Sequence, residues 1–206
     1  MTDPLPPLAH VIRQYELFAR KTLGQHFLLD PHLIAKVAAC AGDLKGHHVI
    51  EIGPGPGGLT RVLLAAGAKQ VVAVEKDARC VRALGDLASH YEGILTVVEH
   101  DALETDLTAL TPSPRKIVAN LPYNIGTPLL LQWLDAISRQ GKDAFTSLTL
   151  MFQKEVARRI VAPPGGKDYG RLSVMTQWLC EVEWHFDLPP GAFSPPPKVP
   201  STSRPR

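Results

Sequence analysis

His47-His-Val-Ile-Glu-Ile-Gly-Pro-Gly-Pro-Gly-Gly-Leu-Thr-Arg-Val-Leu-Leu-Ala-Ala66 changes its periodicity halfway along. Residues 47–52 form a short apolar run of strand type, whereas Leu59 to Ala66 space their apolar side chains at helical intervals. Between them lie four glycines within the six residues 53–58. Gly53, Gly55 and Gly58 satisfy G-x-G-x-x-G, and a strand before with a helix after is the setting in which that pattern has a mechanism. Glycine lets the backbone approach a ligand closely, and the helix behind it turns its N-terminal N–H groups towards the same point. So many glycines lose much chain entropy on folding, which argues against an idle turn.

The same alternation continues outward. Gln70 to Glu75 reads as a second apolar strand, with a helix over Ala78 to His90. Ile94 to Asp101 is a third strand and Lys116 to Asn120 a fourth, followed by a helix from Thr127 to Ser138. Phe145 to Phe152 is a fifth strand and Lys154 to Val161 is helical. Upstream, Asp30-Pro31 is a good helix start, and the helix over His32 to Ala41 is expected to place Leu33, Val37 and Cys40 on one face. Tyr15 to Leu23 reads as a short helix, and residues 1–12, with three prolines, as a loose lead. Continuous apolar strands alternating with helices argue for an α/β, doubly wound, mostly parallel sheet covered on both faces.

Bulk composition narrows the function classes. The 206 residues can bury one real core, not two. With 22 basic against 20 acidic side chains, net charge points to no partner. Apolar runs fall far short of the ~20 residues of a membrane span, and the first residues lack a signal-peptide pattern, so a cytoplasmic chain with no membrane role is expected. Cys40, Cys80 and Cys180 are odd in number and form no C-x-x-C, so neither a disulfide framework nor a metal site is expected. Seven of the 19 prolines fall at or after Pro189, which sets the end of the chain apart from the middle.

Three further positions bear on chemistry. Glu75 ends the second strand 20 residues beyond Gly55, where a carboxylate can accept hydrogen bonds from the hydroxyls of an adenosine ribose. Asp101 also ends a strand and can accept an adenine amino group, so the pair suggests an adenosine-containing cofactor. Asn120-Leu121-Pro122-Tyr123 closes the fourth strand. An adenine amino group is a poor nucleophile because its lone pair is delocalised into the ring. The Asn120 side-chain oxygen and the Leu121 carbonyl can accept its two N–H bonds, Pro122 stiffens the turn, and Tyr123 can stack on the extracted base. Catalysis there is mostly positioning and electrostatics.

With these blocks in order, the sequence resembles the ribosomal RNA adenine dimethyltransferases of the small-subunit type, from about Ala19 to Ser201. Lys21 to Asp30 is similar to that family's N-terminal signature, residues 51–60 to its methionine-cradling loop, and Asn120 to Asn124 to its amine-positioning motif. Gln153-Lys-Glu-Val-Ala-Arg-Arg, Tyr169-Gly-Arg-Leu-Ser-Val and Phe193-Ser-Pro-Pro-Pro-Lys-Val resemble further family blocks. The resemblance implies a Rossmann-like methyltransferase using S-adenosyl-L-methionine and acting on small-subunit ribosomal RNA within the pre-30S subunit, as a monomer. It implies a cofactor shell of His26, Leu28, Gly53, Glu75, Asp101 and Asn120, with Asn120, Leu121 and Tyr123 at the reacting base. His26 takes a place often held by Asn. Arg20, Lys21, Lys154, Arg158, Arg159, Lys167 and Arg171 are its candidate phosphate contacts, and Phe193 to Lys198 is its flap.

The implied division is an extension over 1–18, a methyltransferase domain over 19–188, and a Pro-rich flap and tail over 189–206. Family members continue past this point into an apolar strand and a small helical domain, where this sequence has Pro200-Ser-Thr-Ser-Arg-Pro-Arg; most of that domain is therefore expected to be missing. Three other readings compete. One is a large-subunit adenine methylase of the macrolide-resistance type. Another is a ribosome-assembly factor with secondary methylation, against which the intact Asn120-Leu-Pro-Tyr argues. The third is a dinucleotide-dependent oxidoreductase, which leaves that tetrapeptide unexplained.

Overall fold

The computed structural model describes residues 5–18 and 25–196 and, for the backbone alone, 201–204. Helix α1 (Leu8–Gln14) leads to strand β1 (Phe27–Leu28) and helix α2 (Pro31–Cys40). Next come β2 (His48–Ile52), α3 (Gly58–Ala65), β3 (Gln70–Glu75), α4 (Ala78–Ser89) and β4 (Leu95–Glu99). They are followed by β5 (Arg115–Asn120), α5 (Gly126–Gln140), β6 (Ser147–Gln153), α6 (Lys154–Val161) and α7 (Arg171–Leu179). Three short strands complete the order: β7 (His185–Leu188), β8 (Phe193–Ser194) and β9 (Ser201–Arg204).

The main sheet runs β4-β3-β2-β5-β6-β9-β7. Its first five strands are parallel, and β9 lies antiparallel between β6 and β7. From β2 the chain winds outward to β3 and β4, then crosses back to β5 and winds the other way to β6. The C-terminal ends of β2 and β5 therefore flank the reversal, where open α/β sheets hold ligands.

Strand alternation divides the core between two faces. Val49, Val71 and Val118 point to the side packed by α2, α3 and α4, while Ile50, Val72 and Ile117 meet Leu129, Leu130, Trp133 and Leu134 of α5. Burial on both faces is why the middles of β2, β3 and β5 are predominantly apolar rather than alternating. Asp30 caps α2 by accepting from the backbone N–H of His32 and Leu33 at 2.8 and 3.1 Å, a contact worth about 1 kcal/mol.

Four local expectations are corrected. The buried face of α2 is Ile34, Val37 and Ala38, with Leu33 and Cys40 only partly covered. Residues 8–14 are helical rather than loose, and the helix expected from Tyr15 starts where α1 ends, since Tyr15 is its C-cap and Glu16 has a φ of 51°. Residues 19–23 of that expected helix lie outside the described residues. The prolines that suggested a loose lead instead organise α1: the Pro7 carbonyl accepts from the N–H of His10 and Val11, and Arg61 donates to the Pro6 carbonyl at 2.7 Å. The segment is sealed by Val11 and Leu17, buried against Phe27, Cys80 and Ala83.

The fourth correction concerns the chain after α6. There α7 and the antiparallel strands β7 and β9 add elements that the apolar pattern of the sequence does not reveal. α7 buries Ser173 and Thr176 and exposes Val174, Met175 and Trp178, an inverted pattern that apolar periodicity does not report. Its polar face is tethered instead: Ser173 donates to the Arg159 carbonyl, and Gln177 to the carbonyls of Ile160 and Ala162. Among the described residues no helix is long and apolar enough to cross a membrane.

Candidate active site

A pocket opens at the C-terminal ends of β2, β3 and β5 and is roofed by β1. Its floor is the glycine stretch. Gly53, Gly55 and Gly57 have φ of 64°, 56° and 84°, a region that only glycine enters cheaply. At Gly55 there is also no room: a Cβ would stand 2.8 Å from the Phe27 ring. The close approach at this glycine is thus made by β1 itself. β1 in turn pairs with β8, with Phe27 opposite Ser194 and Leu28 opposite Phe193, so the flap expected at Phe193 is packed at its start. Its end, Lys198, lies outside the described residues.

Glu75 sits beneath the loop with 6% of its surface exposed. Its Oε2 accepts from the Gly55 N–H at 3.1 Å, and its Oε1 accepts from the N–H of Lys76 and Asp77, both at 2.9 Å. Burial pushes its carboxyl above the usual range, and these three N–H groups oppose that. A carboxylate offers roughly four lone-pair positions, so Oε2 keeps one for an incoming hydroxyl. Asp101 follows β4 and caps a 3-10 turn. Its Oδ1 accepts from the Leu103 N–H at 3.0 Å and its Oδ2 from the Lys76 ammonium at 3.0 Å. Those two contacts, the Leu103 N–H first, hold its carboxyl below the usual range.

Glu51, near the end of β2, is 1% exposed and lines the same pocket. Burial pushes its carboxyl up to about 8; the nearby Glu75 adds to the rise, and Thr60 beside it opposes it. Neither Glu51 Oε2 nor the Thr60 hydroxyl makes a hydrogen bond of good geometry. Glu51 is thus a buried acid beside the pocket, with its Oε2 short of a hydrogen bond of good geometry. No role was read for it in the sequence, although its signal was there: a single acid inside an otherwise apolar strand.

The fourth wall is built around Asn120. Its Nδ2 donates to the His26 carbonyl at 2.9 Å. The donor end of the amide is therefore committed to β1's leading segment, and Oδ1 is the acceptor end offered to a neighbour. Leu121 is 2% exposed. The carbonyl of Pro122 accepts from the N–H of Ile125 and Gly126, which turns the chain into α5. Tyr123 stacks on the His26 ring with centroids 4.9 Å apart and planes at 29°. His26 Nδ1 lies 2.8 Å from the Pro195 carbonyl. His26 thus touches the amine-positioning segment and the flap together.

Of the residues expected from sequence, His26, Leu28, Gly53, Glu75, Asp101, Asn120 and Leu121 converge on this pocket, and Tyr123 joins through His26. Gln25 closes the near end by donating to Asp77 at 3.2 Å, whose carboxyl Arg79 pulls down to about 2. Among the expected cations, Arg20 and Lys21 lie outside the described residues. Lys154 pairs with Asp187, and Arg158, Arg159, Lys167 and Arg171 are exposed away from the pocket lining. Such a lining can hold a ligand with ribose hydroxyls, an amine-bearing base and positive charge: Glu75 keeps a lone pair, Asp101 is ionised, and Glu51 lines the same space. S-adenosylmethionine has all three features.

Residues 17–203 match the family model described as ribosomal RNA adenine dimethylase. The chain is 58% identical over 200 residues to "Ribosomal RNA small subunit methyltransferase A" of Ruegeria sp. (strain TM1040), covering 97% of this chain and 70% of that protein. It is 57% identical over 201 residues to the protein of the same name from Allorhizobium ampelinum, covering 97% and 72%. Among solved structures, a dimethyladenosine transferase from Plasmodium falciparum is similar with a TM-score of 0.71 and 32% identity, over 88% of this chain and 64% of that one. The 23S rRNA methyltransferase ErmE is similar with a TM-score of 0.71 and 33% identity, over 87% and 70%.

Proposed function

The chain belongs to the ribosomal RNA adenine dimethylase family, and from that premise we propose that it methylates small-subunit ribosomal RNA. Two methyl groups are transferred from S-adenosyl-L-methionine to N6 of each of two adjacent adenines, on the pre-30S subunit, in the cytoplasm, by a monomer. The observation that carries this reading is the Asn120 amide, which lines the glycine-floored pocket with its Nδ2 committed to the His26 carbonyl and Oδ1 left as its acceptor end. Residues 19–188 carry the methyltransferase domain, with residues 1–18 as its N-terminal extension and 189–206 as flap and tail.

When bound, the cofactor supplies an electrophilic methyl group on a sulfonium. The chain's own part is to hold the amine in line with it. Asn120 Oδ1 and the Leu121 carbonyl accept the two N6 hydrogens, which draws the nitrogen lone pair out of conjugation. Tyr123 gives the flipped base a stacking face. Glu75 holds the ribose, Asp101 the adenine amino group, and Gly53, His26 and Leu28 close round the methionine end. Orientation of this kind accounts for much of a barrier reduction, and no strong base is needed because alkylation acidifies the N6 proton.

Glu75→Ala is expected to weaken S-adenosylmethionine binding by about 1.5–3 kcal/mol, the range for a hydrogen bond to a charged group. Calorimetry on the folded variant checks it, and unchanged affinity removes Glu75 from the site. The function itself is tested by tritiated methyl transfer to undermethylated small and large subunits supplied together, followed by mapping of the modified nucleotides. Label on two adjacent small-subunit adenines supports the proposal. Label only on large-subunit RNA would favour the reading to which the similarity with ErmE points.

A further inference from the structure

We propose that Lys76 is a positioning residue that locks Glu75 and Asp101 into one adenosine-reading unit and so sets the preference for a base carrying an exocyclic amine. The proposal rests on the cofactor reading above and concerns a residue to which nothing so far assigns a role. Lys76 is the first residue after β3, and it reaches both carboxylates by different atoms. Its backbone N–H donates to Glu75 Oε1 at 2.9 Å, and its ammonium donates to Asp101 Oδ2 at 3.0 Å. β3 and β4 are parallel neighbours, with Glu75 opposite Glu99, so the side chain spans the gap between adjacent strand ends. Lys76, Glu75 and Asp101 all line the pocket.

Geometry says what the clamp accomplishes. Asp101 Oδ1 is already held by the Leu103 N–H, and the Lys76 ammonium fixes the other oxygen. With both oxygens held, the carboxylate plane cannot rotate, yet each oxygen keeps a lone pair. An acceptor-only group fixed in this way accepts from an amine and repels a carbonyl oxygen in the same place. It would separate an adenine from a hypoxanthine. Rigidity matters because an unfixed carboxylate loses freedom when the ligand arrives.

A structural purpose for the pair is weak by comparison. The side chains of Lys76 and Asp101 are 43% and 28% exposed, and ion pairs that water can reach contribute little to folding. The backbone half of the clamp is independent of side chain and survives any substitution except proline. A Lys76 variant therefore releases Asp101 while leaving Glu75 held by Lys76 N–H, Asp77 N–H and Gly55 N–H.

The test uses the whole chain and two probes, S-adenosylhomocysteine and its inosine counterpart, with dissociation constants measured by calorimetry. Lys76→Met is expected to weaken the adenosine probe about tenfold, as for a lost charge-assisted contact, and to leave the inosine probe within about twofold. Lys76→Arg restores most of the preference. Asp101→Asn removes it, and adding Lys76→Met to Asp101→Asn causes no further loss, since the two act as one unit. Thermal midpoints show that each variant is folded. Equal weakening of both probes, tighter binding of the adenosine probe, or additive losses would overturn the proposal. If Glu75→Ala and Asp101→Asn bind the adenosine probe like the parent, the cofactor reading fails and takes this proposal with it. If those two weaken it and Lys76→Met does not, the role of Lys76 alone is wrong.

Discussion

Asn120→Ala is expected to lower the rate of methyl transfer on the order of a hundredfold or more, while S-adenosylmethionine affinity stays within about threefold of the parent. The separation follows from where the side chain is committed. Its Nδ2 is tied to the His26 carbonyl at 2.9 Å, so what alanine removes is the acceptor that aligns the amine lone pair during transfer. Binding of the cofactor draws mainly on Glu75 and Asp101, which the substitution leaves in place. Asn120→Asp is the sharper variant. It keeps an acceptor but sets a carboxylate oxygen against the His26 carbonyl oxygen, so the side chain must swing away, and the rate should fall as far as in the alanine variant. Single-turnover measurements isolate the transfer step from product release. An aspartate variant near the parent rate would show that the His26 carbonyl does not set the orientation, and an alanine variant within threefold would remove Asn120 from the reacting centre.

Much of this site was legible in the sequence because its residues sit at strand ends. β2, β3, β4 and β5 were readable as apolar runs, and in a parallel sheet all their C-termini share one edge; Glu51, Glu75, Asp101 and Asn120 had to gather there. The glycine stretch announced close approach. What it approaches was not legible: Gly55 is required by the Phe27 ring, a contact between residues 28 positions apart with no periodic signal. The partner of Asn120 was equally hidden. It is a backbone carbonyl 94 residues away, and carbonyls carry no sequence identity.

The misread segments share a physical cause. α1 was masked by Pro6 and Pro7, which weigh against helix inside an element yet favour its start. α7 was masked because its most buried residues, Ser173 and Thr176, are polar while Val174, Met175 and Trp178 are exposed, with only Leu172 and Leu179 packed against the core. β7 and β9 are only four residues each and pair antiparallel at the sheet edge, too short for alternation to stand out. In each case tertiary contacts supply what local propensity does not.

Glu51 leads to the other large effect, one that needs no substrate. Its carboxyl is pushed from an ordinary value of 4.5 up to about 8 by burial. In the unfolded chain it ionises as pH passes 4.5, whereas in the folded chain it stays protonated to about 8. A raised folded value means that the stabilising contribution is complete below the lower value and is lost on the way to the upper one. Between pH 5 and 8 the unliganded parent should therefore lose stability with a slope approaching tenfold in the unfolding constant per pH unit. Glu51→Gln keeps the neutral shape and cannot ionise, so it should remove this share of the slope and become more stable than the parent towards pH 8. Comparison of the two chains is what isolates the effect. Glu75, the acidic neighbour at the end of β3, is also shifted upward and contributes with the same sign in both, and the lowered His48 and Asp77 values are likewise common to both. Urea unfolding at half-unit steps of pH gives the two curves. Parallel curves from pH 5 to 8 would mean that Glu51 finds a partner or water that keeps it ionised, and its place as a neutral buried acid in the pocket would be lost.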